Sequence, residues 1–383
     1  MRKVGIVTVG RSDYGTCRCF LRALVQSESC EAWLYVAGAH LSEISGNTVS
    51  EIEADGFKIR ERVEMVAASD RPGAIAASVG VGTQRFAELF EKEVPDLLMI
   101  VGDRSELLSV VTAALPFRIP VAHLSGGEIS EGATDDMVRH SLTKMSHLHF
   151  PTNKEHAKRI CQLGEESSRV FPVGDPALDR LRQPSGMLRG EIEESLGIKL
   201  QEPVVVVTHH PVTQGEESEA EVGELIAAMS AIEATWIITF PNADRGSQGI
   251  IDRLGEFVET NGRAIFVPSL GQERYYSLLG EADAMLGNSS SGIWESASFE
   301  LPVVNVGDRQ KGRMRAVNVL DSEPLCGEIE RQLRKALDPS FRAKLEGLKN
   351  PYGEGDASER IVQVLEEVII DESLLRKSFV DMV

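Results

Sequence analysis

The segment 123–140 gathers side chains that transfer protons around three glycines. It contains four carboxylates, one guanidinium and two imidazoles, which belong to Glu128, Glu131, Asp135, Asp136, Arg139, His123 and His140. Neither a buried core segment nor an ordinary surface loop needs so many ionisable groups. General acid–base catalysis does need them, because it takes a proton donor and a proton acceptor in one place. The segment therefore predicts one wall of an active site that moves protons.

The charges of this segment also suit the start of a helix. Asp135 and Asp136 fall at its predicted first turn, where the helix dipole favours negative charge. Asp135 is spaced i,i+4 from Arg139. Asp136 has the same spacing to His140, and each such pair is worth a few tenths of a kcal/mol. These pairs do not explain the preceding Gly126-Gly127-Glu128, which predicts an unusual backbone that presents a further acid.

Two further charged motifs follow predicted strands. Gly10-Arg-Ser-Asp-Tyr-Gly15 comes after the first strand. Arg11 there either clamps a phosphate in the inter-domain cleft or belongs to a solvated turn. Asp103 follows the strand 97–101 and is placed for catalysis at its carboxyl end, or it caps the helix near Ser105. Arg104 beside it is suited to an anionic or polar substrate group.

A glycine- and serine-rich motif, Gly287-Asn-Ser-Ser-Ser-Gly292, lies between a predicted strand and a short helix near 292–299. Free backbone N–H groups and serine hydroxyls at a helix start form an anion site suited to a pyrophosphate. The motif is neither a Walker loop nor G-x-G-x-x-G, so it supports neither an ATPase nor an NAD enzyme. Glu295 in the helix binds a ribose diol or is a surface acid. Arg309 adds positive charge near the predicted phosphate site.

Two histidines open the loop after the apolar strand 203–208. His209 and His210 suggest acid–base work or phosphate binding. A metal ion is not expected there, because adjacent histidines rarely bind one ion and the sequence offers no H-x-x-x-H partner. Asn242 ends the next strand in the same way, and it either hydrogen-bonds a ligand or shapes the turn.

The elements that must position these groups are short apolar runs that alternate with longer amphipathic ones. Continuous runs such as Val204–Val207 are typical of strands covered on both faces. The alternation predicts parallel sheets and a doubly wound α/β fold. The predicted strands are 4–9, 32–37, 97–101, 119–123, 148–151, 170–173, 203–208, 235–240, 264–267, 283–286 and 302–306. The predicted helices are 17–28, 84–93, 105–115, 137–146, 153–163, 219–233, 247–260, 272–281, 326–337 and about 358–375.

So many strands exceed one sheet of usual size, and the polar segment 176–202 is the predicted boundary. We expect a first doubly wound domain over 1–175 and a second over 176–355. A C-terminal helix within 356–383 is expected to pack back on the first domain. Ligands of such sheets bind outside the carboxyl ends of the strands, so two facing domains predict an active site in the cleft between them.

The composition narrows the partners. The net charge of −19 argues against binding to nucleic acid and to anionic membranes, which both require a basic face. No apolar stretch approaches the ~20 residues that span a bilayer. The five cysteines are odd in number and scattered. They therefore predict free thiols and a cytoplasmic location rather than a disulfide framework.

Taken together, these motifs resemble the hydrolysing UDP-N-acetylglucosamine 2-epimerases of sialic- and legionaminic-acid pathways. The resemblance covers about 1–355 and rests on Arg11-Ser-Asp-Tyr, Gly102-Asp-Arg104, Gly126-Gly-Glu128, Asp135-Asp136 with Arg139-His140, His210-Pro-Val-Thr213, Phe240-Pro-Asn242, Gly287-Asn-Ser-Ser290 with Gly292, and Asn305-Val-Gly-Asp-Arg309-Gln. It implies two Rossmann-like domains of glycosyltransferase-B type, with the sugar on the side of 1–175 and the nucleotide bound by 176–355. It also implies no cofactor, no metal, and a homodimer or homotetramer. The implied reaction turns UDP-N-acetylglucosamine and water into N-acetylmannosamine and UDP, by anti elimination to 2-acetamidoglucal followed by hydration.

The resemblance also implies roles for single residues. Asp103, Asp135 and His210 match catalytic positions. The expected substrate and UDP positions are Arg11, Arg104, Arg139, Asn242, Ser289, Ser290, Gly292, Glu295 and Arg309. Many members carry a catalytic glutamate where this chain has Ser125, although a sialic-acid-type subgroup also lacks it. Glu128 or Glu131 is expected to supply the missing carboxylate.

Several alternatives stay open. The same chemistry suits a UDP-diacetamido-trideoxyhexose or a GDP-linked N-acetylglucosamine type of substrate. A non-hydrolysing epimerase is disfavoured by the Gly-Gly-Glu pattern. A glycosyltransferase on the same fold would need an acceptor site. A non-catalytic nucleotide-sugar sensor is disfavoured by the joint presence of Asp103, Asp135 and His210.

Overall fold

The computed structural model describes residues 1–42, 47–65, 71–130, 134–182, 186–211, 216–241 and 247–381. Two predicted site residues, Glu131 and Asn242, lie outside these ranges. The chain forms two compact units, Met1–Arg182 with Tyr352–Val383, and Gln183–Pro351. None of the described helices is long and apolar enough to cross a membrane.

The first unit is built on one parallel sheet. Its strands are β1 (Arg2–Thr8), β2 (Cys30–Ala37), β3 (Ile59–Val63), β4 (Leu97–Val101), β5 (Val121–Leu124) and β6 (Leu148–Phe150), and their order in the sheet is β3-β2-β1-β4-β5-β6. Its helices are α1 (Arg11–Val25), α2 (Val49–Ala54), α3 (Pro72–Lys92), α4 (Glu106–Ala114), α5 (Thr134–Met145) and α6 (Lys154–Gln162). Short 3₁₀ helices cover Gly38–Leu41, Ser167–Arg169 and Pro176–Arg182.

The second unit repeats this plan. Its strands are β7 (Val204–Thr208), β8 (Thr235–Thr239), β9 (Ala264–Val267), β10 (Ala284–Gly287), β11 (Val303–Val306) and β12 (Val319–Ser322), in the parallel order β12-β11-β10-β7-β8-β9. Its helices are α7 (Arg189–Leu196), α8 (Glu216–Ser230), α9 (Ser247–Thr260), α10 (Gln272–Glu281), α11 (Ser291–Trp294), α12 (Cys326–Ala336) and α13 (Pro339–Arg342), with 3₁₀ helices at Ser296–Phe299 and Ala343–Leu345. Both sheets have the Rossmann order, in which the first and fourth strands of the unit lie side by side at the middle.

The central strands are apolar throughout because each face of each sheet is covered. In β4, Leu97 and Met99 pack on the face that carries α1, whereas Leu98 and Ile100 pack on the face that carries α3 and α4. The valines of β7 divide between the two faces of the second sheet in the same way. Each such side chain stabilises the fold by about 1.5–3 kcal/mol relative to an exposed position, so the strands that hold the site are among its most firmly anchored parts.

The chain ends on the first unit, in α14 (Ala357–Glu367) and α15 (Glu372–Leu375). Ile361 and Leu365 of α14 share a buried cluster with Phe20 and Leu24 of α1. The Asp179 carboxylate accepts hydrogen bonds from the first two backbone N–H groups of α14, at 3.0 and 2.7 Å. A carboxylate at this position satisfies donors that the helix leaves unpaired, and it opposes the positive end of the dipole.

The structure differs from the predicted elements in several places. The predicted strand at 170–173 is wrong, because Val170 makes only a single bridge, to His149. Helix α1 begins at Arg11 rather than at residue 17, so the Arg11 motif forms its first turn instead of a loop. The edge strands β3 and β12 and the helices α2, α7 and α13 were not predicted at all.

Candidate active site

In each sheet, two of the loops that carry predicted site residues leave the middle, where the strand order reverses. In the first sheet β1 and β4 are neighbours, and they are followed by Gly10-Arg11 and Gly102-Asp103. In the second sheet β7 and β10 are neighbours, and they are followed by His209-His210 and Asn288-Ser289. Ligands of open α/β sheets bind at such switch points. We refer to them as the first and the second switch point.

Asp103 and Arg139 form an ion pair at the first switch point. Gly102, which has a φ of +80°, turns the chain out of β4 and presents Asp103. The Arg139 guanidinium, with 6% of the side chain exposed, donates to Asp103 Oδ2. Burial raises the pKa of Asp103, the Arg139 charge lowers it, and the Asp135 charge raises it again. The net effect is a raised pKa for Asp103, which favours its protonated form and suits general acid–base catalysis.

Helix α5 supplies the other charges of the first switch point. Asp136 Oδ1 accepts from the Ser130 N–H at 2.7 Å, and its carboxylate lies 3.7 Å from Arg139 and 3.5 Å from His140. Asp135 is exposed one position earlier. The predicted pair of Asp136 with His140 is thus present. The predicted pair of Asp135 with Arg139 is not, because Arg139 turns to Asp103 and Asp136 instead.

The loop after β5 has the unusual backbone that its glycines predict. Ser125 has a φ of +63° and Gly127 a φ of +79°. A Cβ on Gly127 would overlap the His156 carbonyl oxygen, so only glycine fits there. Glu128 follows, and its Oε1 lies 3.4 Å from Thr152 Oγ1 and 3.9 Å from His156 Nδ1. The positive φ of Ser125 turns the chain just before Gly126 and Gly127.

The two arginines of the first switch point keep solvent-exposed guanidinium groups. Arg11 is the first residue of α1, and its Nε lies 3.4 Å from Glu51. Arg104 donates to Glu106 at 3.0 Å. Exposed ion pairs of this kind contribute about 0–1 kcal/mol, so both guanidiniums can exchange their partner for an anionic ligand at little cost.

At the second switch point, Asn288 joins His210 to Arg309. The His210 N–H donates to Asn288 Oδ1 at 2.7 Å, and Asn288 Nδ2 donates back to the His210 carbonyl at 2.9 Å. The Asn288 carbonyl accepts from Arg309 at 3.0 Å and from Gln310 at 2.8 Å. Asn288 is fully buried, so these bonds fix the ends of β7 and β10 and the Arg309 loop against one another.

His210 is neutral at physiological pH. Burial lowers its pKa to about 4, and the nearby charges of Arg309 and His209 act in the same direction. A neutral imidazole can accept or donate a proton but brings no charge of its own. At this switch point His210 therefore brings no positive charge, whereas Arg309 does.

The serine motif of the second unit has the close approach that its glycines predict. Gly287 has a φ of +127°, and a Cβ there would overlap the Thr208 carbonyl oxygen. A Cβ on Gly292 would lie 2.9 Å from Val303 Cγ1. Ser289 Oγ accepts from the Ser291 N–H at 3.3 Å, and Ser290 is exposed at the start of α11. The predicted helix near 292–299 is in fact α11 followed by a 3₁₀ helix.

Glu295 follows α11 and receives a hydrogen bond from the Tyr276 hydroxyl at 3.3 Å.

The structure places Asp103, Asp135 and Arg139 together in the first unit, with Glu128 on a neighbouring loop. It places His210, Ser289 and Arg309 together in the second. Among the residues that the structure describes, no three histidine, cysteine, aspartate or glutamate side chains are grouped as a metal ion would require.

Two polar residues of these switch points were missed from the sequence. Asn288 lies inside the serine motif but was not singled out. Asp13 is buried at the start of α1, where its Oδ2 accepts from the N–H groups of Val9 at 2.6 Å and Gly10 at 3.2 Å. Burial raises the pKa of Asp13 to about 6. The sequence signal that could have identified Asp13 is an acid three residues after a glycine at the end of a strand.

Comparison with known proteins agrees with this geometry. The profile of the family "UDP-N-acetylglucosamine 2-epimerase" matches residues 22–366. A UDP-N,N'-diacetylbacillosamine 2-epimerase (hydrolyzing) of Legionella pneumophila is 37% identical over 98% of this chain and 99% of its own length. A GDP/UDP-N,N'-diacetylbacillosamine 2-epimerase (hydrolyzing) of Campylobacter jejuni is 35% identical over 100% and 99%.

The fold has solved counterparts. The crystal structure of UDP-GlcNAc 2-epimerase from Neisseria meningitidis bound to UDP-GlcNAc superposes with a TM-score of 0.75, covering 95% of this chain and 99% of that one at 15% identity. The predicted fold class is confirmed: a two-unit α/β enzyme of glycosyltransferase-B type, with two Rossmann-like domains. Within that class, the chain belongs to the UDP-N-acetylglucosamine 2-epimerase family. The prediction of an epimerase is confirmed with it.

Proposed function

We propose that this protein is a hydrolysing nucleotide-sugar 2-epimerase that acts on a UDP-linked 2,4-diacetamido-2,4,6-trideoxyhexose. The observation that carries the reaction type is the Asp103–Arg139 pair at the first switch point, with the Asp135 charge beside it. The sugar is supported by the relatives at 37% and 35% identity, whose names specify diacetylbacillosamine. UDP-N-acetylglucosamine, the main expectation from the sequence, is the second candidate because the family profile bears its name.

Both candidate sugars pose the same chemical problem. The C2 proton is not acidic, because no carbonyl is conjugated to C2. Departure of the diphosphate builds positive charge at C1 and acidifies that proton. A base then takes the proton, the C2–H electron pair becomes the C1=C2 double bond, and the C1–O pair leaves with UDP. In the second step, an acid protonates C2 from the opposite face, water adds at C1, and the water proton returns to that acid.

The first unit is proposed to move these protons. Asp103 and Asp135 are carboxyl groups of different character, one half-buried beside a guanidinium and one exposed. Two carboxyls in different environments are the usual means of having an acid and a base at one pH. Glu128 is the candidate for the carboxylate that Ser125 does not supply, and Glu131 is its rival. Arg11 and Arg104 are proposed to contact the substrate.

The second unit is proposed to hold the leaving group. Arg309 and the Ser289 and Ser290 hydroxyls suit a diphosphate, whereas the Asn288 N–H already donates to the Thr208 carbonyl at 3.1 Å. Gly292 allows the motif to pack on β11, and Glu295 and Asn242 are the proposed contacts of the nucleoside. His210, neutral at physiological pH, can donate a hydrogen bond from its ring N–H to the departing diphosphate. Stabilising the leaving group is the largest demand of the first step, because it creates the acidity at C2.

Three nucleotide sugars in D₂O test this proposal. Purified enzyme is incubated in separate reactions with UDP-N,N'-diacetylbacillosamine, UDP-N-acetylglucosamine and GDP-N-acetylglucosamine. Proton and phosphorus NMR then follow the released nucleotide and deuterium at C2. The expected result is release of UDP with a free 2-epimer deuterated at C2, and with the highest kcat/KM for the diacetamido sugar.

The other outcomes separate the alternatives. UDP release without deuterium at C2 would refute epimerisation. A deuterated sugar that stays linked to UDP would identify a non-hydrolysing epimerase. A higher kcat/KM for UDP-N-acetylglucosamine would support the proposed reaction but identify that sugar nucleotide as the preferred substrate.

A further inference from the structure

The imidazole of His123 is buried at the carboxyl end of β5, and it belongs to none of the proposed proton-transfer or binding groups. We infer that His123 is a positioning residue of the reaction, because its ring fixes the Gly102 peptide from which Asp103 extends. The inference rests on the proposed role of Asp103. It is carried by contacts that one side chain makes with three segments of the first switch point.

The first contact is with the Asp103 loop. The Gly102 carbonyl lies 2.7 Å from His123 Nε2, and the Gly102 N–H donates to the Leu124 carbonyl at 3.0 Å. Two consecutive residues of β5 therefore hold both polar groups of Gly102. Because Gly102 has a φ of +80°, this peptide sets the direction in which the Asp103 side chain leaves the backbone.

The second contact is with α5. The Gly102 carbonyl can only accept a hydrogen bond, so the proton of a neutral His123 must be on Nε2. Nδ1 is then an acceptor, and Thr143 Oγ1, at 3.1 Å, is its donor. Burial lowers the pKa of His123 to about 3, so the ring remains neutral and keeps this tautomer at physiological pH. The same helix carries Asp135 and Arg139.

The third contact is with the Glu128 loop. A Cβ on Gly126 would lie 3.0 Å from His123 Nδ1 and 2.9 Å from Thr143 Oγ1. The backbone of this loop therefore packs directly on the His123–Thr143 hydrogen bond. The proposed carboxylates Asp103, Glu128 and Asp135 thus belong to three segments that meet at one ring.

A purely structural explanation does not require an imidazole here. An apolar side chain would fill the buried position without the cost of desolvating a polar group. What the imidazole adds is a donor aimed at the Gly102 carbonyl and an acceptor aimed at α5. A shift of 1 Å in a reacting group lowers turnover by about 100-fold, so a device that fixes the Asp103 backbone has a large effect on catalysis.

Two substitutions test the two hydrogen bonds of the imidazole, to the Gly102 carbonyl and to Thr143, separately. The amide nitrogen of glutamine in His123→Gln reaches the place of Nε2 and can donate to the Gly102 carbonyl. The shorter amide of His123→Asn ends near Nδ1 and keeps only the link to Thr143. We expect His123→Gln to retain most of the turnover. We expect His123→Asn to lower kcat about 100-fold with little change in KM.

Two further variants guard against misfolding as the cause. Thr143→Val removes the donor that fixes the tautomer at almost constant volume, and it is expected to give an intermediate loss of kcat with an unchanged Tm. His147→Asn is the matched control. His147 is also buried, and its Nδ1 accepts from the Val121 N–H at 3.1 Å, at the opposite end of β5. It is expected to lower Tm without lowering the kcat of the folded enzyme.

Equal losses of kcat in His123→Gln and His123→Asn would overturn the inference, and so would full activity in both His123→Asn and Thr143→Val. Asp103→Asn, assayed beside them, separates this from the proposed function. If Asp103→Asn keeps its turnover, the role of Asp103 fails whatever the His123 variants do. If Asp103→Asn is inactive while His123→Asn is fully active, only the positioning role fails.

Discussion

The two switch points lie in sheets of the same strand order, but their side chains differ in charge and in proposed role. In each unit the first and fourth strands are neighbours, and the loops that follow them hold part of the candidate groups. At the first switch point these groups are carboxylates around Arg139. At the second they are a neutral imidazole, the Asn288 network and Arg309. The strand order of each sheet therefore sets the position of the functional groups, and the residues of the loops set their chemistry.

Burial acts in the same sense at both places. It raises the pKa of Asp103 and lowers the pKa of His210 to about 4, and in both cases it favours the neutral form. The difference lies in the neighbours. Arg139 opposes the shift of Asp103, whereas Arg309 adds to the shift of His210. We therefore expect protonation to change near the carboxylates during the reaction, with the second switch point remaining a fixed cradle for the leaving group.

The sharpest test of this division is Asp103→Asn, which keeps the shape of the side chain and removes its ability to exchange a proton. A positioned acid or base contributes ~10²–10⁴-fold, so we expect kcat to fall about 1,000-fold while Tm changes little. The measurement is nucleotide release at saturating substrate.

Asp96→Asn is the matched control for that variant. Asp96 precedes β4 at its other end, where it accepts a hydrogen bond from the Lys3 N–H at 2.7 Å that an asparagine can also accept. It should behave as wild type. Turnover of Asp103→Asn within tenfold of wild type would contradict the assignment of proton transfer to the first switch point.

The second switch point is tested through its backbone. Gly287→Ala places a Cβ against the Thr208 carbonyl at a φ of +127°, so the ends of β7 and β10 must separate. We expect a loss of about 3 kcal/mol in the free energy of unfolding, measured by urea denaturation.

Gly255→Ala, in α9, is the control for the glycine substitution. A Cβ there meets no atom within 4 Å, and the helical backbone suits alanine, so a gain of about 0.5–1 kcal/mol is expected. Equal effects of the two substitutions would show that the close approach of β7 and β10 does not stabilise the second switch point.

The fold could be predicted because its central strands are continuous apolar runs, of which Val204–Val207 is the clearest. The edge strands could not. Ile59-Arg-Glu-Arg-Val63 has three charged residues between its apolar ends and is exposed over most of its length, since an edge strand has fewer neighbours to bury it. The predicted strand at 170–173 is wrong because a short apolar run does not reveal whether a sheet partner continues alongside it.

The candidate site could be predicted only in part from local sequence. Asp103 and His210 became candidates because each follows an apolar strand, where parallel sheets bind ligands, and their roles remain predictions. The partner of Arg139 was predicted wrongly, because the helix spacing offers Asp135 while the fold brings Asp103 from 36 residues away. Networks that cross the sheet, such as those of Asn288 and His123, leave no periodic signal in one sequence.

A smaller effect is expected at the loop after β5, where this chain has Ser125 and the resemblance implies a catalytic glutamate in many members of the family. Glu128→Gln and Glu131→Gln each remove one acid without changing its size. We expect one of them to lower kcat about 100-fold and the other to stay near wild type. Glu128 is the favoured residue, because its loop packs on the His123–Thr143 bond. If both variants turned over like wild type, neither acid would replace the missing glutamate, and Asp103 and Asp135 would have to suffice.

The last prediction is a difference between the two units in how their stability depends on pH. In the first unit, burial lowers the pKa of His40, His147 and His156 to about 4 and that of His123 to about 3. In the second unit, His210 has the corresponding shift to about 4. The unfolded chain titrates these imidazoles near pH 6.5. Between pH 6.5 and 4 the unfolded state therefore binds more protons, and stability falls as the pH is lowered.

The sign is reversed for Asp13, whose pKa of about 6 makes the folded state bind the extra proton between pH 4 and 6. It offsets most of the contribution of one histidine, so the first unit, with four such histidines, still loses more stability between pH 7 and 5 than the second unit, with one. Trp33 reports on the first unit, and Trp236 and Trp294 report on the second. Urea denaturation of variants that retain only Trp33 or only Trp236 should show a midpoint that falls further for Trp33 at pH 5. A larger fall for Trp236 would mean that the buried imidazoles of the first unit gain protons without unfolding, and the neutral form and fixed tautomer proposed for His123 would then be wrong.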